Sequence, residues 1–228
     1  MLTFFQNIFP NILPQEFMGS CDVLEHDVNP STTVRKVCWT GIDGLFFDHA
    51  LAQKLTSIFD KGGSPEILRK DCDGVLVFEH NGINYIFLTE LKSGFGTERA
   101  YKAKRQLVGT FLKLNMVLGL ANFYDRKNYV IKFIICGHPP KQDFLQKLHM
   151  MTNLPLEDPR TPERRFSRGL FFPPKKEKIH HLSCNASDLL CLSNFGIGMN
   201  SLGNVCDFYF VEVPEGDSSI NLNVNDFL

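Results

Sequence analysis

The sequence contains no uninterrupted apolar run near the roughly 18 residues that a membrane helix needs, so no membrane partner is expected. Its opening stretch, MLTFFQNIFPNILPQEF, lacks a basic leading segment and a small-residue cleavage site, and is not read as a signal peptide. No CxxC pair occurs. The seven cysteines, at 21, 38, 72, 136, 184, 191 and 206, are odd in number and widely spaced. That pattern argues against a disulfide framework and for reduced, buried thiols in a cytoplasmic protein. G-x-S-x-G, G-x-x-x-x-G-K-[ST] and G-x-G-x-x-G are all missing, which removes support for a hydrolase elbow, an NTPase loop or a dinucleotide site. Gly94-Phe95-Gly96 comes nearest, but Arg99 stands where the third glycine would be. There is no internal repeat and no low-complexity segment.

A net charge of −1 excludes a uniformly basic nucleic-acid binder, yet the charge is unevenly spread. Residues 99–113 hold Arg99, Lys102, Lys104, Arg105 and Lys113 with no acid. Residues 160–178 hold seven Lys and Arg against Glu163 and Glu177. Each segment is compatible with a local phosphate-binding surface and equally with solvated loops and helix faces. His180, His181 and Cys184 are the closest His/Cys grouping, and as a zinc site they want a fourth ligand. With 228 residues, 43% of them apolar and 21 of them Phe, the chain can bury a substantial core as one domain over residues 1–228.

Periodicity supplies the elements. Residues 1–35 are punctuated by Pro and Asn and resist assignment. Leu45 to Phe59 has helical spacing and ends at Lys61-Gly62-Gly63. Two β-rich runs, Asp73 to Phe78 and Ile83 to Leu88, flank Asn81-Gly82, a strong hairpin signal because both central residues of a type I′ turn need positive φ. A long helix is expected over about Glu98 to Asn122, with Leu107, Phe111, Leu114 and Leu118 as its apolar stripe. Tyr129 to Cys136 reads as a buried strand, followed by a helix from Gln142 to Met151. Residues 153–178 read as a long connection, Ala186 to Leu192 as helical, and Phe208 to Val213 as a last strand. This order predicts an α/β protein with a mixed central sheet flanked by helices.

The turn fixes a register. If Asn81-Gly82 is a two-residue loop, His80 pairs with Ile83, and continuation of that pairing sets Asp73 opposite Glu90. Directly opposed residues share a face with Cβ atoms roughly 4.5–5.5 Å apart. Alternation puts Lys92 on the same face. Two facing carboxylates repel unless something offsets them, and hard oxygen donors of this kind suit Mg²⁺ or Mn²⁺. A lysine two residues on can stabilise developing negative charge or help activate a metal-bound water. The alternative is a polar strand mouth whose charges fan into solvent.

Asp73, then a hairpin, then Glu90-Leu91-Lys92, then a helix, resembles the PD-(D/E)XK nuclease superfamily, whose signature has those parts in that order. The resemblance covers about residues 45–137 and implies a restriction-endonuclease-like core. It implies metal-dependent hydrolysis of phosphodiester bonds, with Asp73, Glu90 and the Leu91 carbonyl holding Mg²⁺ (or Mn²⁺) and Lys92 acting on the attacking water. Gln106 sits where the family helix often carries a Gln or Lys; it could position water or phosphate, or be an ordinary polar residue. Cys72 replaces the family's proline. For the additional family acid on the first helix, Asp48 and Glu66 are candidates. Lys102 and Arg105, three apart on one helical face, could contact backbone phosphates or lie solvated. His138, just past a strand, stands where sites are often built or simply ends the strand. The implied partner is nucleic acid, chiefly DNA, in bacterial or phage defence or DNA processing, with a homodimer or regulatory protein as a further partner. A catalytically silent domain of the same fold, used for binding or assembly, is the competing reading.

Overall fold

The computed structural model describes residues 1–26, 29, 31–60, 68, 70–94, 97–150, 161–172, 177–185 and 205–228. Its centre is a seven-stranded mixed sheet in the order β1-β4-β5-β6-β7-β9-β8, formed by Gln15–Phe17, Gly44–Asp48, Gly74–His80, Ile83–Lys92, Tyr129–Gly137, Val205–Glu212 and Ile179–Asn185. β1, β4, β5 and β6 run antiparallel to their neighbours, β6, β7 and β9 run parallel, and β8 returns antiparallel to β9. A second sheet of three strands, β10-β3-β2, consists of Ser219–Asn223, Lys36–Thr40 and Ser20–Leu24. The α-helices among the described residues are α1 (Leu2–Ile8), α2 (His49–Asp60), α3 (Thr97–Leu118), α4 (Gln142–Met150) and α5 (Thr161–Phe171).

Period-two alternation sorts the sheet's side chains into two cores. Val75, Val77, Ile86, Leu88, Phe133 and Phe208 meet the helices through Leu107, Phe111, Leu114, Phe166 and Leu170. Leu76, Phe78, Phe87, Ile134 and Tyr209 meet the small sheet through Val23, Val37, Trp39 and Leu222. Both faces of β5 and β6 are therefore covered, which is why these strands read as near-continuous apolar runs. The predicted stripe of α3 is buried as expected, at Leu107, Phe111, Leu114 and Leu118.

Several elements depart from the sequence reading. Leu45 to Phe59 is a strand followed by a helix: Phe46 faces the small sheet and Phe47 the helices, a period of two that the helical pattern of the following residues obscured. The supposed connection at 153–178 contains α5, where Phe166 and Leu170, four apart, are both buried. Its start, Thr161-Pro162-Glu163, is a helix-initiating pattern that proline tolerates at the first turn. Lys104 and Lys113 are not surface charges. Lys104 is buried over the Tyr101 and Phe166 rings, and Lys113 is buried in an ion pair with Asp71. The zinc grouping is also dispersed. Along β8, His180 packs on Phe171 and Phe210 and bonds Glu212, whereas His181 stacks on Tyr209 and bonds Asp207. The expected helix at 186–192 lies outside the described residues.

Two positions make stability predictions. A Cβ at Gly74 would stand 2.8 Å from the Phe46 ring and 3.0 Å from both Val23 methyls, so the small sheet can lie against β5 only because that position has no side chain. Gly74→Ala is expected to cost about 1–3 kcal/mol by overpacking, measured as a shift in urea midpoint with unchanged slope. Nearer the other edge of the sheet, Asp207 accepts hydrogen bonds from Lys132 at 3.1 Å and from Ser183 and bonds His181. Burial pushes its pKa up, but these bonds outweigh it and leave the carboxyl below its ordinary range. Its stabilisation is therefore full above the ordinary aspartate pKa and is lost as pH falls through the lowered folded value. Asp207→Asn should reduce stability at neutral pH and flatten the acid limb of a stability–pH curve; parallel curves for both proteins would contradict this.

Candidate functional site

The site begins at the hairpin. Asn81 (φ 52) and Gly82 (φ 78) both take the left-handed conformation, and the ladder runs from His80↔Ile83 to Gly74↔Thr89. The predicted register holds across all of β5. It stops one residue short of the expected Asp73–Glu90 pair. The Asp73 N–H donates at 3.1 Å to the Thr89 carbonyl, the residue that Gly74 already faces. Two residues thus oppose one, as in a β-bulge, and the Asp73 carboxylate turns into the mouth between the strands.

There it takes the place of a missing ladder partner. Asp73 Oδ2 accepts the Leu91 N–H at 2.7 Å, and Oδ1 accepts the His26 N–H at 3.4 Å. A strand residue presents its N–H and C=O to the same neighbour, so the Leu91 carbonyl faces this mouth as well. Glu90 and Lys92 extend the row of Ile86 and Leu88 on the helix side of β6. Glu90 is 1% exposed, and its Oε1 accepts a hydrogen bond from Lys92 Nζ. Its other oxygen, Oε2, is buried with no hydrogen-bond partner among the described residues. Burial first, and the Asp73 charge second, push the Glu90 pKa well up, against the pull of Lys92. Lys92 is raised in turn, because the charges of Glu90, Asp73 and Glu25 outweigh its burial.

Glu25, at the end of β2, is a member that the sequence did not reveal. It acts on both Glu90 and Lys92, although it lies 65 positions before Glu90 in an unassignable stretch. Its neighbour His26 stacks on His49 at 3.9 Å, and His49 Nδ1 donates to the Cys72 carbonyl at 3.3 Å. Together with Asp22, Asp48 and Asp73 these residues line an acidic cleft of about 400 Å³. Asp48 is thus brought to the cleft, where its Oδ1 caps α2 by accepting the Leu51 N–H at 2.8 Å. Glu66 lies outside the described residues.

Helix α3 fixes the approach to Asp73 from the other side. Gln106 Nε2 donates to the Asp71 carbonyl at 3.0 Å, Thr110 Oγ1 accepts the Cys72 N–H at 2.8 Å, and Lys113 Nζ donates to the Lys70 carbonyl at 2.9 Å. Three side chains on successive turns therefore clamp residues 70–72. Gln106 Oε1 remains buried without a partner among the described residues. Gln106 is accordingly neither an idle surface residue nor a group free in both its polar atoms. Lys102 is exposed on the same helix and Arg105 is half-buried.

No three His, Cys, Asp or Glu side chains among the described residues converge as a ready-made metal cage. Two carboxylates and a main-chain carbonyl at the strand mouth are nevertheless a donor set of the hard oxygen type. Mg²⁺ retains several waters and commonly takes only one or two protein carboxylates. The orphaned Oε2 of Glu90 is the observation that fits such an ion, since a buried lone carboxylate oxygen is costly without a partner.

The fold and this mouth define a mixed α/β protein with a central mixed sheet flanked by helices, carrying a buried carboxylate–lysine pair at a strand end. The chain matches no protein-family model, no curated protein and no solved structure. No helix among the described residues is long and apolar enough to cross a membrane.

Proposed function

We propose that the chain is a metal-dependent nuclease of the PD-(D/E)XK kind, hydrolysing phosphodiester bonds, with DNA as the leading substrate. The observation that carries the reading is the buried Glu90 Oε2, without a hydrogen-bond partner among the described residues, near the Asp73 charge and with Lys92 bonded to the other oxygen. The β4-β5-β6 antiparallel meander, crossing by α3 to parallel β7, supports a restriction-endonuclease-like core.

In this reading Asp73, Glu90 and the Leu91 carbonyl would hold Mg²⁺ or Mn²⁺, which when bound would lower the pKa of a water and offset charge on the scissile phosphate. Glu90 and Asp73 orient the donor set, and the Leu91 N–H fixes the Asp73 carboxylate in the position that its role requires. Lys92 orients the attacking water and, as a cation held by Glu90, offsets the charge that gathers on the non-bridging oxygens. Water adds to phosphorus and gives up a proton to solvent, the P–O bond to the leaving alcohol breaks, and that oxygen takes up a proton from solvent. Gln106 positions the 70–72 segment through its bond to the Asp71 carbonyl. Lys102 and Arg105 take flanking backbone phosphates. Sequence recognition then comes from loops, a second copy or a regulatory protein, and a role in defence or DNA processing follows by analogy of fold.

The test is a panel of single- and double-stranded DNA and RNA with Mg²⁺ or Mn²⁺. Cleavage abolished by EDTA and by Glu90→Gln is expected. A protein that binds nucleic acid equally well with and without metal, and cuts none of it, would be the silent binding module instead.

A further inference from the structure

We infer that the open cleft beyond the ends of β6, β7 and β9 is a nucleotide subsite, seating one nucleotide of the substrate strand beside the Asp73–Glu90–Lys92 centre. Its substrate class rests on the nuclease reading, whereas its ability to hold a nucleoside phosphate rests on the cleft alone. The three strands are parallel, so their carboxyl ends open on one rim, the place where sheets of this type bind ligands. The cleft there has a volume of about 630 Å³, within the usual range for small-molecule sites. Ser93 and Gly94 form its edge and follow Lys92 directly, which places that edge within about 7 Å of chain from Lys92.

Three cations line it. Arg99 reaches across from the first turns of α3, and a Cβ at Gly94 would lie 3.2 Å from its Nη1, so the guanidinium occupies space that the glycine leaves. Lys141 and Lys147 come from the other wall, at and within α4, and both are exposed. None of the three is ion-paired among the described residues. Asp143 and Glu215 are the wall's acids, so three cations against two carboxylates leave one net positive charge. That balance matches a single phosphodiester and is too small to neutralise the continuous double row of phosphates along a duplex.

The remaining lining has a use for the rest of a nucleotide. His138 Nδ1 lies 3.1 Å from the Val213 carbonyl, which can only accept, so the proton is on Nδ1 and Nε2 is left to meet a sugar hydroxyl or base amine. Phe144 is half-buried and supplies an aromatic surface of the kind that sequence-tolerant strand binders use. The acidic cleft on the other side of Asp73 has the opposite sign. The centre therefore lies between a cleft suited to cations and one suited to a phosphate.

Thymidine 5′-monophosphate, thymidine and inorganic phosphate are the probes, titrated calorimetrically into wild type, Glu90→Gln and the double variant Lys141→Glu/Lys147→Glu. Wild type and Glu90→Gln should both bind the monophosphate more tightly than either thymidine or phosphate alone. The double charge reversal should weaken it about tenfold or more, with an unchanged melting temperature, since both lysines are exposed. In cleavage of a single-stranded oligonucleotide the same variant should raise KM more than it lowers kcat. Monophosphate binding indifferent to the charge reversal, or no tighter than thymidine, overturns the subsite while leaving a cleaving enzyme intact. Phosphate binding as tight as the monophosphate overturns the nucleoside part. Charge-sensitive monophosphate binding by a protein that cuts nothing would keep the subsite and sink the nuclease reading.

Discussion

Glu90→Gln is expected to lower metal-dependent cleavage by about 10²–10³-fold or more without lowering the melting temperature of the metal-free protein. The two halves of this result have one cause. Glu90 is fully buried, its ionised form is disfavoured by desolvation and by Asp73, and one of its oxygens has no hydrogen-bond partner among the described residues. A neutral amide of the same shape removes that cost. Lys92 keeps the nearby charges of Asp73 and Glu25, so it is not stranded. A residue selected for packing would behave the opposite way. Stability measured with and without Mg²⁺ separates the cases: wild type should gain about 2.7 kcal/mol at a hundredfold excess over Kd, and the variant little. A variant several degrees less stable yet equally active would show that Glu90 is structural.

Lys113→Met should produce the largest loss of stability, about 3 kcal/mol, together with a loss of cleavage. Its side chain is 2% exposed, and its ammonium is paired with Asp71 and bonded to the Lys70 carbonyl. The methionine keeps most of the buried stem, one atom shorter, but deletes both interactions, leaving the Asp71 carboxylate without that partner in a buried setting. The activity effect arises because residues 70–72 set the position from which Asp73 reaches the Leu91 N–H. Asp71→Asn combined with Lys113→Met should cost less than the sum of the two single changes, since each removes the charge that the other strands. Strict additivity in urea titrations would mean that the pair is not coupled. Metal-dependent activity that persists in Lys113→Met would show that the clamp does not govern Asp73.

The hairpin, the α3 stripe and the buried β7 strand were legible because their causes are local. Positive φ at Asn81 and Gly82 is a matter of backbone sterics, and it carries the register seven pairs onward by strict alternation. The same locality explains the misreadings. Phe46 and Phe47 belong to a strand because two different layers receive them, and most of each layer comes from distant segments such as Val23, Leu222 and Phe5. Lys104 and Lys113 look like surface charges until Phe166 and Asp71 are brought in from elsewhere.

Sequence alone therefore determined that Glu90 and Lys92 share a face at a strand end and set the register as far as Gly74, one residue short of the expected Asp73–Glu90 pair, since period and turn chirality settle both. It could not determine the bulge that turns Asp73 into the mouth, the third acid Glu25, or the clamp of α3 on residues 70–72. Nor could it show that Arg99, Lys141 and Lys147 surround one cleft. Those are contacts between segments tens of residues apart. They form only when burial of two separate cores folds both layers against the sheet, and the free energy that selects them belongs to the whole packing.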